Sequence, residues 1–215
     1  MKRVFLDSEI ALYQNNNIFD ALSLLNTIEN NPSIDNVWSI ASNKNINNTD
    51  LNNNSKIFYL KDLSSTNNNF DLYNIKSLIT LKEKNIVKFS DIPLDRDRVK
   101  LNDLLNEFAL PFILDYLDEF EENRLFVKPW SICKDLNNEA FHSDISRNDI
   151  AHKNTIIIFL NEDYSGGGMK FNNRIGNELV TFKKGDVLIY PSNEDYLHKV
   201  YATTNGTQYV AIAYF

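Results

Sequence analysis

The spacing of apolar residues changes character near Asn123. Before it, Phe19, Ala21, Leu22, Leu24, Leu25 and Ile28 recur at helical intervals and predict an amphipathic helix. Leu101, Leu104, Leu105, Phe108, Ile113, Leu114, Leu117 and Phe120 predict a longer helix over 101–120. Pro111, which lacks an N–H, is expected to kink or divide it. An opening strand or two is expected over 3–13, and Ile57–Leu60 reads as a short strand. Residues 42–56 are rich in Asn, Ser and Thr and predict a surface loop, whereas 61–95 follow neither period.

After Asn123 the pattern is one of short β-rich segments. They are Leu125–Val127, Ser131–Cys133, Thr155–Leu160, Met169–Phe171, Glu178–Phe182, Asp186–Tyr190, His198–Tyr201 and Gln208–Phe215. Gly166-Gly167-Gly168, Lys184-Gly185 and Asn205-Gly206 supply turns between them. This spacing predicts a mostly β, α+β fold: a double-stranded β-helix (jelly roll) with the N-terminal helices packed outside one sheet. Residues 1–215 read as a single domain, with a helix-rich part over about 1–123 and a jelly-roll core over about 124–215.

Composition narrows the classes. A chain of 215 residues with 43% hydrophobic and 24% charged residues can bury a sizeable core without staples. It has no apolar run near the roughly 20 residues that a membrane helix needs, and residues 1–20 carry no signal-peptide pattern. Cys133 is the only cysteine, so no internal disulfide forms, and a cytoplasmic setting is expected. The net charge of −7, without a Lys/Arg stripe, argues against non-specific nucleic-acid binding. The asparagine runs read as compositional bias that favours turns.

The candidate chemistry lies in the histidines, of which there are three. His142-x-Asp144 would set two ligand side chains on one side of an extended backbone, because strand side chains alternate. His198 would have to join them from a neighbouring strand. Two imidazoles and a carboxylate on one face of an ion are the ligand set of non-haem Fe(II) oxygenases. The alternative is an exposed His-x-Asp with an unrelated surface histidine, and the three residues alone leave both open.

The residues between and after these three form a series. Thr155-Ile-Ile-Ile-Phe-Leu-Asn161 is followed by Gly166-Gly167-Gly168, then by Gly185-Asp186-Val187-Leu188, His198 and Gly206-Thr-Gln208. In order and spacing, roughly residues 100–215 resemble the Fe(II)/2-oxoglutarate-dependent dioxygenases of the prolyl 4-hydroxylase type. The resemblance implies Fe(II) on His142, Asp144 and His198, with 2-oxoglutarate chelating the iron and Gln208, Phe159 and Thr155 beside the co-substrate. It implies oxidative decarboxylation to succinate and CO2 coupled to hydroxylation by dioxygen, with ascorbate as an accessory reductant. A prolyl residue in a peptide or protein is the substrate class expected by this analogy.

Two positions depart from the family's pattern. Ten residues after the distal histidine the family carries Arg or Lys for the far carboxylate of 2-oxoglutarate; here the residue is Gln208. Losing that charge-assisted pair costs about 1.5–3 kcal/mol. A tyrosine expected in the preceding strand is Phe159. Either Lys170 or Lys199 reaches in instead, or 2-oxoglutarate binds weakly or yields to another 2-oxo acid, or iron is kept and the oxygenase cycle lost. A non-catalytic jelly-roll binding or structural protein, and a non-oxygenase metal enzyme on the same barrel, are the alternatives from other classes.

Other residues read more simply. His152 is a surface histidine, Gly166–Gly168 a hairpin turn and not a phosphate cradle, and Lys183-Lys184 a solvated pair. Cys133 has no base beside it in sequence and reads as inert. Trp130, Tyr190, Tyr196 and Tyr201 are expected mainly in aromatic core packing.

Overall fold

The computed structural model describes residues 2–14, 16–29, 39–40, 56–59, 96–119, 130–136, 138–144 and 153–215. The expected strand 125–127, most of the loop over 42–56, the region 61–95 and His152 lie outside these residues. The described strands are β1 (Lys2–Asp7), β2 (Ile10–Gln14), β3 (Ser39–Ile40), β4 (Lys56–Tyr59), β5 (Ser131–Lys134), β6 (Asn138–His142), β7 (Asn154–Phe159), β8 (Ser165–Gly166), β9 (Met169–Phe171), β10 (Val187–Pro191), β11 (His198–Val200), β12 (Thr203–Asn205) and β13 (Tyr209–Tyr214). The described helices are α1 (Ala21–Glu29) and α2 (Arg96–Glu119). Neither is long and apolar enough to cross a membrane.

The large sheet has the order β1-β2-β10-β7-β13-β5-β4-β3, and the smaller one the order β6-β11-β9. A short ribbon pairs β12 with β8. Strand alternation divides the central strands of the large sheet between two cores. Ile156, Ile158 and Leu160 of β7 and its end, Val187 and Ile189 of β10, and Ala211 and Ala213 of β13 share a cluster with the helices. There Leu101, Leu105, Ala109, Ile113, Tyr116 and Leu117 form the buried stripe of α2. The intervening Ile157, Phe159, Leu188, Tyr190 and Val210 turn the other way and meet Met169, Phe171 and Val200 of the smaller sheet. Two sheets thus enclose one core, while the helices cover the back of the larger sheet. Each fully buried Leu or Ile contributes about 1.5–3 kcal/mol to holding these layers together.

Arg3 and Tyr13 both donate to Asp115 Oδ2 at 2.9 Å, tying the β1–β2 hairpin to α2. Thus strands from the helix-rich N-terminal part complete the large sheet alongside β10.

Three expectations change. Helix α2 runs from 96 to 119 without a break, so Pro111 does not divide it. Pro111 is exposed, and the buried Ala109, Phe112 and Ile113 on either side of it anchor the helix. Glu178–Phe182 is not a strand; only Val180 bridges to Met169, after a short 3₁₀ turn over Ile175–Asn177. The turn residues at Gly166 and Asn205 instead belong to the β8–β12 ribbon, which is too short to show a hydrophobic period.

Candidate metal centre

His142 is the last residue of β6, and His198 the first of β11; the two strands pair with these histidines directly opposite each other. The register then slips, so that Val200 opposes Asn138 and not Ala140. Such irregularities re-aim side chains beside functional sites. Asp144 lies just beyond β6, in a bend and not in the strand, yet keeps the parity of His142. The structure brings His142, Asp144 and His198 together, with one potential ligand atom from each within 4.8 Å of the others. The two imidazole centroids are 4.4 Å apart. His198 is 2% exposed and Asp144 14%.

Hydrogen bonds decide which atoms face the shared point. His142 Nδ1 lies 3.0 Å from the Ala140 carbonyl, and His198 Nδ1 lies 3.2 Å from that of Tyr196. A carbonyl only accepts, so each Nδ1 holds the proton and each Nε2 keeps its lone pair. On Asp144, the Tyr190 hydroxyl donates to Oδ2 at 2.6 Å and Thr155 Oγ1 donates to the same atom at 2.8 Å. Oδ1 instead faces His198 Nε2 at 3.7 Å. Thr155 spends its one proton on Asp144, so in its 2.8 Å contact with Ser192 it is Ser192 that donates. The relay therefore runs from Ser192 through Thr155 to Asp144.

The electrostatics favour metal-ready protonation states. Burial pushes the His198 pKa down to about 4, against the opposing pull of Asp144, so the ring is neutral at pH 7. Burial acts to raise the Asp144 pKa, but His198, the Tyr190 hydroxyl, His142 and Thr155 outweigh it, and the group lies below the ordinary carboxylate value. Burial and the Asp144 charge hold the Tyr190 pKa well above that of free tyrosine, so the phenol remains a donor. The neutral His198 imidazole, the His142 ring and the ionised Asp144 carboxylate fit a divalent transition ion with open positions opposite.

The other candidates fall elsewhere. Thr155 touches the Asp144 carboxylate. Phe159 stacks on Phe182 with centroids 4.0 Å apart. Gln208 is buried and donates from Nε2 to the Tyr164 hydroxyl at 3.0 Å. Lys170 and Lys199 do not reach in. They pair across the smaller sheet at positions flanked by the inward Met169, Phe171, His198 and Val200. Lys199 Nζ sits over the Phe141 and Tyr201 rings on the outer face. Trp130 is core, donating to Asn106 Oδ1 at 2.8 Å. Tyr190 is more than core packing: its ring packs against Phe171 and its hydroxyl serves Asp144. Sequence reasoning missed this role, because it depends on strand register. Tyr190 has the inward parity of Leu188 and lies opposite Thr155 in the β10–β7 register.

Comparison with known proteins bears on this arrangement. A 2OG-Fe(II) oxygenase family oxidoreductase from Burkholderia pseudomallei superposes with a TM-score of 0.54 and 11% identity, covering 96% of this chain and 84% of its own. A prolyl hydroxylase from Trichoplax adhaerens, in complex with a hypoxia inducible factor oxygen degradation domain peptide fragment, gives 0.52 and 13%, covering 96% and 83%. The chain has the fold of the Fe(II)/2-oxoglutarate oxygenases. A PKHD-type hydroxylase of Pseudomonas fluorescens is 38% identical over 50 residues, a match that spans 23% of this chain and only 21% of that protein. No family model matches the chain. Within this oxygenase fold, the described His-Asp-His cluster lies where β6 and β11 meet the inner face of the large sheet.

Proposed function

We propose that the protein is an Fe(II)- and 2-oxo-acid-dependent dioxygenase of the 2-oxoglutarate oxygenase type, its two facing sheets forming a jelly roll around the metal. The observation that carries this reading is the pair of histidines with Nδ1 bonded to carbonyls, gathered with Asp144 so that one ligand atom of each lies within 4.8 Å of the others, His198 Nε2 standing 3.7 Å from Asp144 Oδ1. A surface His-x-Asp and an unrelated histidine would have no reason to share that geometry, which weighs against a non-catalytic binding module. His142, Asp144 and His198 would hold the iron. Iron bound there supplies, with a 2-oxo acid and dioxygen, the oxidising chemistry that hydroxylates a C–H bond. The chain's own part is positional: Tyr190 and Thr155 grip Asp144 Oδ2, leaving Oδ1 for the metal. Burial of His198 behind Phe171 and Tyr190 keeps bulk water from one side of the centre. A prolyl residue in a peptide or protein is the substrate class we assign, by analogy with the fold of a peptide-bound prolyl hydroxylase.

The test is anaerobic addition of Fe(II) to the purified protein, followed by titration of 2-oxo acids while the visible charge-transfer band of the chelate is recorded. A band that saturates, and that is lost in Asp144→Ala, is the expected result. Failure to bind iron at all would refute the proposal.

A further inference from the structure

The inner face of the large sheet changes character along its length. At the metal end it presents Thr155 and Tyr190 to Asp144. Beyond them lie Ile157, Leu188, Phe159 and Val210, all in the apolar core between the sheets. Past Val210, and of the same parity, comes Gln208, which is 2% exposed. Its Nε2 donates to the Tyr164 hydroxyl at 3.0 Å. Its Oε1 is buried with no hydrogen-bond partner, and no other described side chain has such an atom. Gly167 lies close by: a Cβ there would sit 3.4 Å from Nε2 and 3.5 Å from the Tyr164 ring. A buried acceptor left unmatched is costly unless something donates to it.

Three carboxylates among the described residues act on Gln208 and Tyr164. Asp135 Oδ1 accepts the backbone N–H of Gln208 at 3.1 Å. Burial raises the Tyr164 pKa, and the nearby Asp186 and Glu162 carboxylates act in the same direction. No Lys or Arg is buried among the described residues. Lys134, paired with Tyr209 in the register, turns to the helix side and lies over the Tyr209 ring.

We infer that the far end of the co-substrate is read at Gln208 by neutral hydrogen bonding, so that the site takes a 2-oxo acid with an uncharged donor tail, such as an amide or hydroxyl, in preference to one with a carboxylate tail. This rests on the oxygenase reading above. An N–H or O–H from the tail satisfies Oε1. A carboxylate would set acceptor against acceptor and find no buried Lys or Arg among the described residues. Turning the Gln208 amide over would present Nε2 instead, yet it would add no positive charge to that end.

A matched pair of non-reacting chelators tests this on the full-length protein. N-oxalylglycine ends in a carboxylate, and N-oxalylglycinamide differs only in ending in a carboxamide. Their dissociation constants are measured by calorimetry on Mn(II)-loaded protein. The glycinamide is expected to bind about tenfold or more tightly than the acid. Gln208→Arg is expected to reverse the order, and Tyr164→Phe, which frees the amide, to narrow the gap. Equal or tighter binding of the acid by the unsubstituted protein would overturn the inference and leave the oxygenase reading standing. Binding of neither Mn(II) nor Fe(II) would remove the reading and the inference together. The comparison on the unsubstituted protein decides the matter even if Gln208→Arg fails to fold.

Discussion

Tyr190→Phe isolates what the hydroxyl does for the metal. The ring keeps its packing, 5.2 Å from Phe171 and 5.0 Å from His198 between centroids, so no cavity opens. What disappears is the 2.6 Å bond to Asp144 Oδ2. Thr155 then remains as the described side-chain donor to that oxygen. A hydrogen bond to a charged acceptor contributes about 1.5–3 kcal/mol. At roughly 1.4 kcal/mol per decade, loss of that bond corresponds to about a 10- to 100-fold weaker metal site, if the carboxylate's orientation is what the bond secures. The assay is Mn(II) or Fe(II) affinity by competition with a chelator of known strength, alongside a urea melt of the metal-free protein. Weaker metal binding with little change in the melt is the expected pair of results. Affinity within twofold of the parent would refute the claim that Tyr190 positions Asp144.

Three further outcomes follow from the same structure. Leu105→Ala is expected to cost about 2–5 kcal/mol by leaving a cavity between α2 and the large sheet, yet to spare metal affinity, because that cluster lies on the opposite face from the centre; a large loss of affinity in protein that remains folded would contradict this division. Burial pushes the Cys133 thiol up to about 12, so iodoacetamide at pH 8 should label it only after unfolding; rapid alkylation of native protein would be inconsistent with its placement. His198 has a folded pKa of about 4, below its unfolded value of roughly 6.5, so the unfolded chain takes up the extra proton as pH falls through that window. Metal-free protein should therefore lose stability progressively from pH 6.5 to 4, by about 3 kcal/mol in all, and level off from this cause below it. A His198→Gln variant should show a flatter dependence, and an unchanged slope in urea midpoints would assign the effect to other groups.

Much of the architecture was legible because burial imposes periods that survive in one dimension. Leu101, Leu105 and Leu117 marked the stripe of α2, and the alternation of Ile156 to Leu160 marked a strand buried on both faces. His142 and Asp144 could be set on one side of the backbone from parity alone, whereas His198 joined them only through the serial pattern that resembles the oxygenase family. Short-range chemistry of that kind depends on residue identity and spacing, and both are written in the sequence.

What the sequence could not determine is every relation that needs a partner from a distant strand. The register of β6 against β11 places His198 opposite His142, and only that pairing brings two residues far apart in the chain into one centre. The bonds from Tyr190 and Thr155 to Asp144 cross between sheets, so no local pattern announces them. Lys170 and Lys199 looked able to replace a missing base, but the pleat turns both outward, since their neighbours occupy the inner face. Pro111 looked like a break, but the buried residues that flank it in α2 hold the helix through it. Local sequence determined which groups are present and at what period. Tertiary packing decided which of them meet, because hydrogen bonds and metal ligation act over a few ångströms of space and take no account of distance along the chain.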